Sequence, residues 1–297
     1  MLSATPPIFR FAPSPNGLLH LGHAYSALLN KQLCEQLGGR YLLRLEDIDI
    51  TRCTPQLEAQ MLDDLQWLGI EWETPVRRQS EHFADYEMAL QKLRTKGLVY
   101  QSFMTRGEIR KMVGDLEKFG QPWPKDPDDS PHYPGPERGW SVRQCDAKRH
   151  STPRHAWRLN MKAALDHVGG SLSWREVSFE SQEQSQQVSA HPEVWGDIVL
   201  ARSDTPTSYH LAVVVDDALQ GVTHVVRGRD LYEATAVHRL LQVLLDLPVP
   251  LYHHHDLVLD QDGRKLSKSD GDVSLASLRA NGVQADELPN LFRFASS

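Results

Sequence analysis

The chain has 297 residues, 40% of them hydrophobic and 24% charged, enough apolar material for one large domain or two smaller ones. Its net charge of −7 argues against a protein that coats nucleic acid without selectivity. No apolar run reaches the roughly 18 residues that a membrane-spanning helix needs, and the start, Met1-Leu2-Ser3-Ala4-Thr5-Pro6-Pro7, lacks the basic and apolar stretches of a secretion signal, so a cytoplasmic protein is expected.

Ile8-Phe9-Arg10-Phe11-Ala12 reads as a short strand running into a Pro/Gly loop. A helical stretch follows over about 21–37 and ends at Gly38-Gly39. Tyr41-Leu42-Leu43-Arg44-Leu45 is a second strand. Apolar residues Leu57, Met61, Leu62, Leu65 and Leu68 predict an amphipathic helix over 55–68, with Thr54 as its cap and Pro55 in its first turn. Another helix is predicted over 82–96. Strand, helix, strand, helix is the order of a parallel α/β sheet.

The texture changes from about Tyr100 to Val194. Gly120 to Pro131 is rich in helix and strand breakers, and 181–190 is polar and featureless, so this region reads as an insertion between two halves of the sheet. Alternation resumes at Asp197 to Arg202. Leu211-Ala212-Val213-Val214-Val215 is continuously apolar and β-branched, and reads as a strand covered on both faces. Val222 to Val226 is another strand, and 231–244 a helix with Asp230 as its cap. Cys34, Cys53 and Cys145 are odd in number and have no metal-ligand spacing, and are expected as reduced thiols. Arg77-Arg78 and the stretch 106–111 are local basic patches that read as solvated faces.

Two segments carry the chemistry. Pro13-Ser14-Pro15-Asn16-Gly17-Leu18-Leu19-His20-Leu21-Gly22-His23 joins a strand to a helix, and ligands of open α/β folds bind in the crevice beyond the strand ends. The helix start offers backbone N–H groups to phosphate, His20 and His23 lie on one side of the first turn, and Gly22 leaves room for a flat adenine. The bland alternative is a capped helix with two surface histidines. Lys265-Leu266-Ser267-Lys268-Ser269 follows the turn Gln261-Asp262-Gly263, a position from which two lysines can close over a triphosphate. By itself that segment is a solvated loop; in order with the first it suggests stabilised attack on the α-phosphorus of ATP, through fixed donors rather than covalent catalysis.

Together the two segments resemble the HIGH-type and KMSKS-type signatures of class I aminoacyl-tRNA synthetases. Arg10-Phe11-Ala12-Pro13-Ser14-Pro15-Asn16-Gly17, Leu43-Arg44-Leu45-Glu46-Asp47-Ile48-Asp49, the stretch 207–217 and the stretch 221–230 resemble glutamyl-tRNA synthetases. The resemblance implies a Rossmann-type parallel-sheet catalytic domain (1–99 and 195–252), an inserted α+β acceptor-binding-like subdomain (100–194), and a short C-terminal helical segment carrying the second signature (253–297). It implies a catalytic set of His20, His23 and Lys268. ATP, as its Mg2+ complex, would be held by Pro13, Gly22, His20, His23, Lys265, Ser267 and Lys268. The L-glutamate pocket would be Arg10, Ser14, Glu46, Tyr209 and Arg227: two arginines for carboxylates, and an acid for the ammonium. Without the resemblance, Arg10 reads as a solvated strand end and Glu46 as a surface or capping acid.

The chain ends at Ser297, where the full-length synthetases continue into an anticodon-reading domain, and Leu231 stands where they usually carry histidine. Both features resemble a stand-alone subfamily that activates glutamate without tRNA and attaches it to the queuosine base at the wobble position of tRNA(Asp). A compact synthetase charging a tRNA 3′ end, a silent tRNA- or protein-binding paralogue, and a nucleotidyltransferase acting on another small acid are the alternatives. A monomer is expected. That subfamily often holds zinc through three cysteines and a tyrosine; Ser102, Met104, Tyr133 and Glu137 stand at those positions, so no zinc is expected. His132, His150 and His155 are scattered, and His253-His254-His255 in a strand would point to alternate faces, so neither group is expected to chelate a metal.

Overall fold

The computed structural model describes residues 5–179, 184–259, 273–292 and 294. In chain order its elements are β1 (Ile8–Phe11), α1 (Leu21–Gln36), β2 (Arg40–Leu45), α2 (Pro55–Trp67), β3 (Glu73–Arg78), α3 (Phe83–Thr95), β4 (Val99–Ser102), α4 (Arg106–Lys118), α5 (Val142–Ser151), β5 (Ala156–Leu159), α6 (Met161–Val168), β6 (Leu172–Ser178), β7 (Gln184–Ala190), β8 (Val199–Arg202), α7 (Tyr209–Leu219), β9 (His224–Gly228), α8 (Ala234–Leu245), β10 (Leu251–His255) and α9 (Leu275–Ala280). Seven strands form one sheet in the order β3-β2-β1-β9-β10-β6-β7. All neighbours are parallel except β7, which pairs antiparallel with β6. The chain lays β2 and β3 on one side of β1 and later returns with β9 and β10 on the other. That reversal opens a crevice beyond the carboxyl ends of β1 and β9.

The two-residue strand period sorts side chains to the two sheet faces. Phe9, Phe11, Leu43 and Val226 pack against α1, α2 and α9 on one face. Ile8, Leu42, Val225 and Tyr252 face the other, covered by α3, α7 and α8. The same period puts Arg10, Arg44, Arg227 and His254 on that second face. Buried Val237, Leu240, Leu241, Leu244 and Leu245 pin α8 there, each contributing about 1.5–3 kcal/mol.

The expected caps are present where the signal is local. Thr54 accepts from Leu57 N–H, with Pro55 in the first turn, and Gly38 ends the α1 region at φ 60°. Three expectations need correction. The run 211–215 lies inside α7 rather than in a strand; a helix buried on every side has no polar stripe, so a short apolar run carries no period to distinguish the two. Asp230 does not cap a helix: it sits in a 3-10 turn, Arg229–Leu231, and α8 starts at Ala234 without a side-chain cap bond. The polar stretch 184–190 is the edge strand β7, where one flank faces solvent and polar residues are tolerated.

The strands β6 and β7, inside the stretch assigned to the insertion, belong to the seven-stranded sheet. A second, antiparallel sheet, β4-β5-β8, pairs β4 and β5, at the start of and within that stretch, with β8, which follows it. Against it packs a small core of Tyr100, Ile109, Val113 and Tyr133. The basic pair Arg77 and Arg78 is partly buried and paired rather than a free solvated face: Arg77 bridges Asp85 and Asp216, and Arg78 bridges Glu58.

Candidate active site

The first motif folds into a capped helix start. His20 is the N-cap of α1; its Nδ1 accepts from Gly22 N–H at 3.1 Å, and His23 Nδ1 accepts from His20 N–H at 3.2 Å. An imidazole that accepts at Nδ1 carries its proton on Nε2. Both rings, with centroids 3.9 Å apart, therefore hold an Nε2–H donor at the positive end of α1. Gly22 is needed for a reason the sequence did not reveal: a Cβ there would lie 3.0 Å from His20 Cε1.

A cavity of about 500 Å³ opens at this helix end, in the crevice between β1 and β9. It is lined by Arg10, Ser14, Glu46, Tyr209 and Arg227 together with Pro13, His20, Gly22 and His23. Five residues drawn from four separate parts of the chain thus meet in one space with the helix start. Lys265, Ser267 and Lys268 lie outside the described residues.

Behind the cavity sits a charge network that sequence reasoning missed. Arg10, 4% exposed, donates through Nε to Asp217 Oδ1 at 3.1 Å. Fully buried Arg44 donates to the same oxygen at 2.7 Å and reaches Glu46 at 3.4 Å and Asp216 at 3.7 Å. Asp216 also takes Arg77 Nε, the Tyr86 hydroxyl and Gln79 Nε2. Both aspartates ride on α7, the element misread as a strand; their only trace in the sequence is the adjacent pair that ends the apolar run. Burial raises the carboxyl of Glu46, although Arg44 and Arg10 oppose it. Asp217 is held down by Arg10 and Arg44 against the effect of its burial.

Arg227 is built differently. It is 5% exposed, and among the described residues no carboxylate lies within 4.0 Å of it. Its five N–H groups all go to neutral acceptors: His254 Nε2 at 3.1 Å, Tyr209 Oη at 3.3 Å, His238 Nδ1 at 3.2 Å, Leu231 O at 3.1 Å and Thr235 Oγ1 at 2.8 Å. Arginine only donates, so this shell fixes the tautomers around it. His254 must carry its proton on Nδ1, which donates to Glu176 at 2.9 Å. His238 carries its proton on Nε2, which donates to His210 Nδ1 at 3.2 Å. Burial and the Arg227 charge depress all three imidazoles, His210 and His254 to about 4. Tyr209, accepting from Arg227, retains its own hydroxyl proton for a ligand.

Among the described residues the cavity thus combines a guanidinium whose terminal nitrogens make no hydrogen bond (Arg10), a buried cation with no carboxylate within 4.0 Å (Arg227) and a carboxyl group raised by burial (Glu46). A molecule with acidic groups at one side and an ammonium at the other complements it.

The zinc-position residues do not fit the metal. Glu137 Oε1 accepts from Phe103 N–H at 3.2 Å, and its Oε2 accepts from the Tyr133 hydroxyl at 2.7 Å. Ser102 Oγ lies between Ala156 O and Arg158 Nε. These oxygens are committed to hydrogen bonds, and no thiolate stands among them. His132, His150 and His155 bond separately to the carbonyls of Val194, Asp146 and Pro153. In β10, His254 faces Arg227 while His253 bonds Val177 O and His255 packs edge-on to Tyr25.

Comparisons with known proteins identify the family. The model of the class I tRNA synthetase (E and Q) catalytic domain matches residues 8–294. A glutamyl-Q tRNA(Asp) synthetase of Rhodobacter capsulatus is 44% identical over 292 residues, covering 96% of this chain and 99% of its own. One from Symbiobacterium thermophilum is 36% identical, over 93% of this chain and 82% of its own. A glutamate–tRNA ligase of Prochlorococcus marinus is 33% identical over 95% of this chain but only 56% of its own. The crystal structure of the glutamate-tRNA synthetase of Elizabethkingia anophelis superposes with a TM-score of 0.72 at 25% identity, covering 90% of this chain and 53% of that one. The chain belongs to the class I tRNA synthetase family of the E and Q type, whose catalytic domain it carries.

Proposed function

We propose that the protein activates L-glutamate with ATP in the absence of tRNA, and then transfers the glutamyl group to the queuosine base at the wobble position of tRNA(Asp). The observation that carries the glutamate assignment is Arg227, a buried cation with no carboxylate within 4.0 Å among the described residues, in one cavity with Arg10 and Glu46. A buried charge is unfavourable until it is paired. Glutamate brings two carboxylates and one ammonium. In this reading Arg10 and the Arg227–Tyr209 pair take the acidic groups, Glu46 takes the ammonium, and Ser14 borders the pocket. Glutamine would leave an arginine unpaired, at a cost of about 3–5 kcal/mol.

ATP, as its magnesium complex, lies against the start of α1. His20 and His23 donate Nε2–H to phosphate, Pro13 and Gly22 border the adenine, and Lys265, Ser267 and Lys268 balance charge on the departing pyrophosphate. A glutamate carboxylate oxygen bonds to the α-phosphorus as the bond to pyrophosphate breaks. A nucleoside hydroxyl then attacks the glutamyl carbonyl, and AMP leaves. The extent of the match to the Rhodobacter protein, near full length in both chains, supports the queuosine acceptor over a tRNA 3′ end. We infer a cytoplasmic monomer; among the described residues no helix is long and apolar enough to cross a membrane.

The test has two arms. Labelled pyrophosphate should exchange into ATP with glutamate alone, and with no other amino acid. Glutamate should then label tRNA(Asp) only when queuosine is present. Exchange that needs tRNA, or equal labelling with and without queuosine, would return the assignment to a compact synthetase charging a 3′ end.

A further inference from the structure

A second cavity, of about 650 Å³, lies between the small sheet and the start of α7 and shares Tyr209 with the first. Its lining includes Arg106 and Arg110 of α4, Arg202 at the end of β8, Arg158 of β5 and His210. Resting on the acceptor reading above, we propose that this cavity holds the RNA backbone beside the acceptor nucleoside, with Arg106, Arg110 and Arg202 as its phosphate contacts.

All three side chains are exposed. Among the described residues, none of these three arginines has a carboxylate within 4.0 Å. Arg106 and Arg110 are four apart on one helix face, where like charges repel. Arg106 also occupies the first turn of α4, the end of a helix that disfavours a cation. Arg202 is exposed at the end of β8; partial desolvation and the like charge of Arg106 act against its own charge, and Asp204 favours it. Four acids line the same wall, and among the described residues none of them, Asp128 included, lies within 4.0 Å of these arginines. Asp197 is committed to Arg138, the Tyr100 hydroxyl and Met161 N–H. Asp129 takes Lys125, and Asp126 takes the N–H groups of Asp128 and Ser130. Arg158 is held fixed by Ser102 Oγ and Asp197 O, above the Tyr133 ring.

A polyanion relieves this repulsion, and RNA read as an unpaired loop is recognised by phosphate contacts and stacked rings. Tyr209 and His210 are consecutive at the start of α7. Tyr209 borders both cavities, and His210 forms the end of the histidine chain that begins at Arg227. A loop seated on the three arginines therefore has its neighbouring nucleotide beside the place where the glutamyl carbonyl must lie.

The test uses the full chain with Arg106→Gln/Arg202→Gln and Arg106→Glu/Arg202→Glu, each checked for a wild-type melting transition. Three readouts are taken: tRNA-free pyrophosphate exchange, glutamate transfer to queuosine-bearing tRNA(Asp), and tRNA affinity by fluorescence anisotropy against salt. Exchange should stay within about twofold of wild type. tRNA affinity and transfer efficiency should fall at least roughly tenfold in the Gln pair and further in the Glu pair, and the slope of log affinity against log salt should shrink by about 0.7 for each arginine removed. Unchanged affinity and salt slope in folded variants would overturn the proposal. If the wild type exchanges pyrophosphate but labels no tRNA, the acceptor reading fails separately, and the anisotropy arm still decides whether these arginines bind RNA.

Discussion

Replacing Arg227 with glutamine removes a buried charge of the cavity that has no carboxylate within 4.0 Å among the described residues. Arg10 and Arg44 keep Asp217 whatever the ligand, whereas Arg227 meets only neutral acceptors. A substrate carboxylate that had been paired across this site would then be buried alone. Breaking one side of a buried pair costs about 3–5 kcal/mol, which is a factor of about 150 to 5,000 in affinity. Pyrophosphate exchange at varied glutamate concentration should therefore show KM raised by that factor in Arg227→Gln, with ATP dependence little changed. Arg227→Lys keeps the charge but brings three N–H groups to five acceptors, and should fall between wild type and Arg227→Gln. A folded Arg227→Gln protein with a glutamate KM within about threefold of wild type would refute the reasoning.

Three further outcomes are expected. Because the folded protein holds His210 and His254 near about 4 and depresses His238, the unfolded chain binds more protons below about 6.5. Stability should therefore be full above that value and decline toward pH 4, by up to about 1.4 kcal/mol per histidine per unit, read as a falling urea midpoint; a midpoint that rises on acidification would contradict the neutral-shell assignment. Asp217→Asn removes the shared partner of Arg10 and Arg44 and should lower stability by about 3–5 kcal/mol in thermal melts. Glu46→Gln should raise glutamate KM by roughly tenfold to a hundredfold, the worth of a charge-assisted bond, while glutamate titration by calorimetry shows the loss is in binding.

What the sequence made legible was local. The spacing of His20 and His23, the Thr54 cap and the order of strands and helices each depend on neighbours a few residues apart. What it concealed was long-range or isotropic. Asp217 meets Arg10 across 207 residues and Arg44 across 173, a pairing that exists only once the strand period and α7 share a face. Residues 211–215 hide their helix because water touches no side of it. The shell around Arg227 draws on β10, α7, α8 and the turn before α8, so no single stretch of sequence displays it. The charges of the stretch 106–111 are solvated, as expected, but only the fold brings Arg202 beside them.

The returning chain at the rim of the first cavity has a mechanical meaning. Val258 lines that cavity and bridges to Phe294, and Ser274 bridges to His20, with Leu275 N–H donating to Leu19 O at 2.8 Å. The described residues on either side of 260–272 are thus both fastened at the rim of this cavity. Because the anchor of Ser274 is the same histidine that caps the helix, any shift of α9 is felt first at the phosphate-binding end of α1.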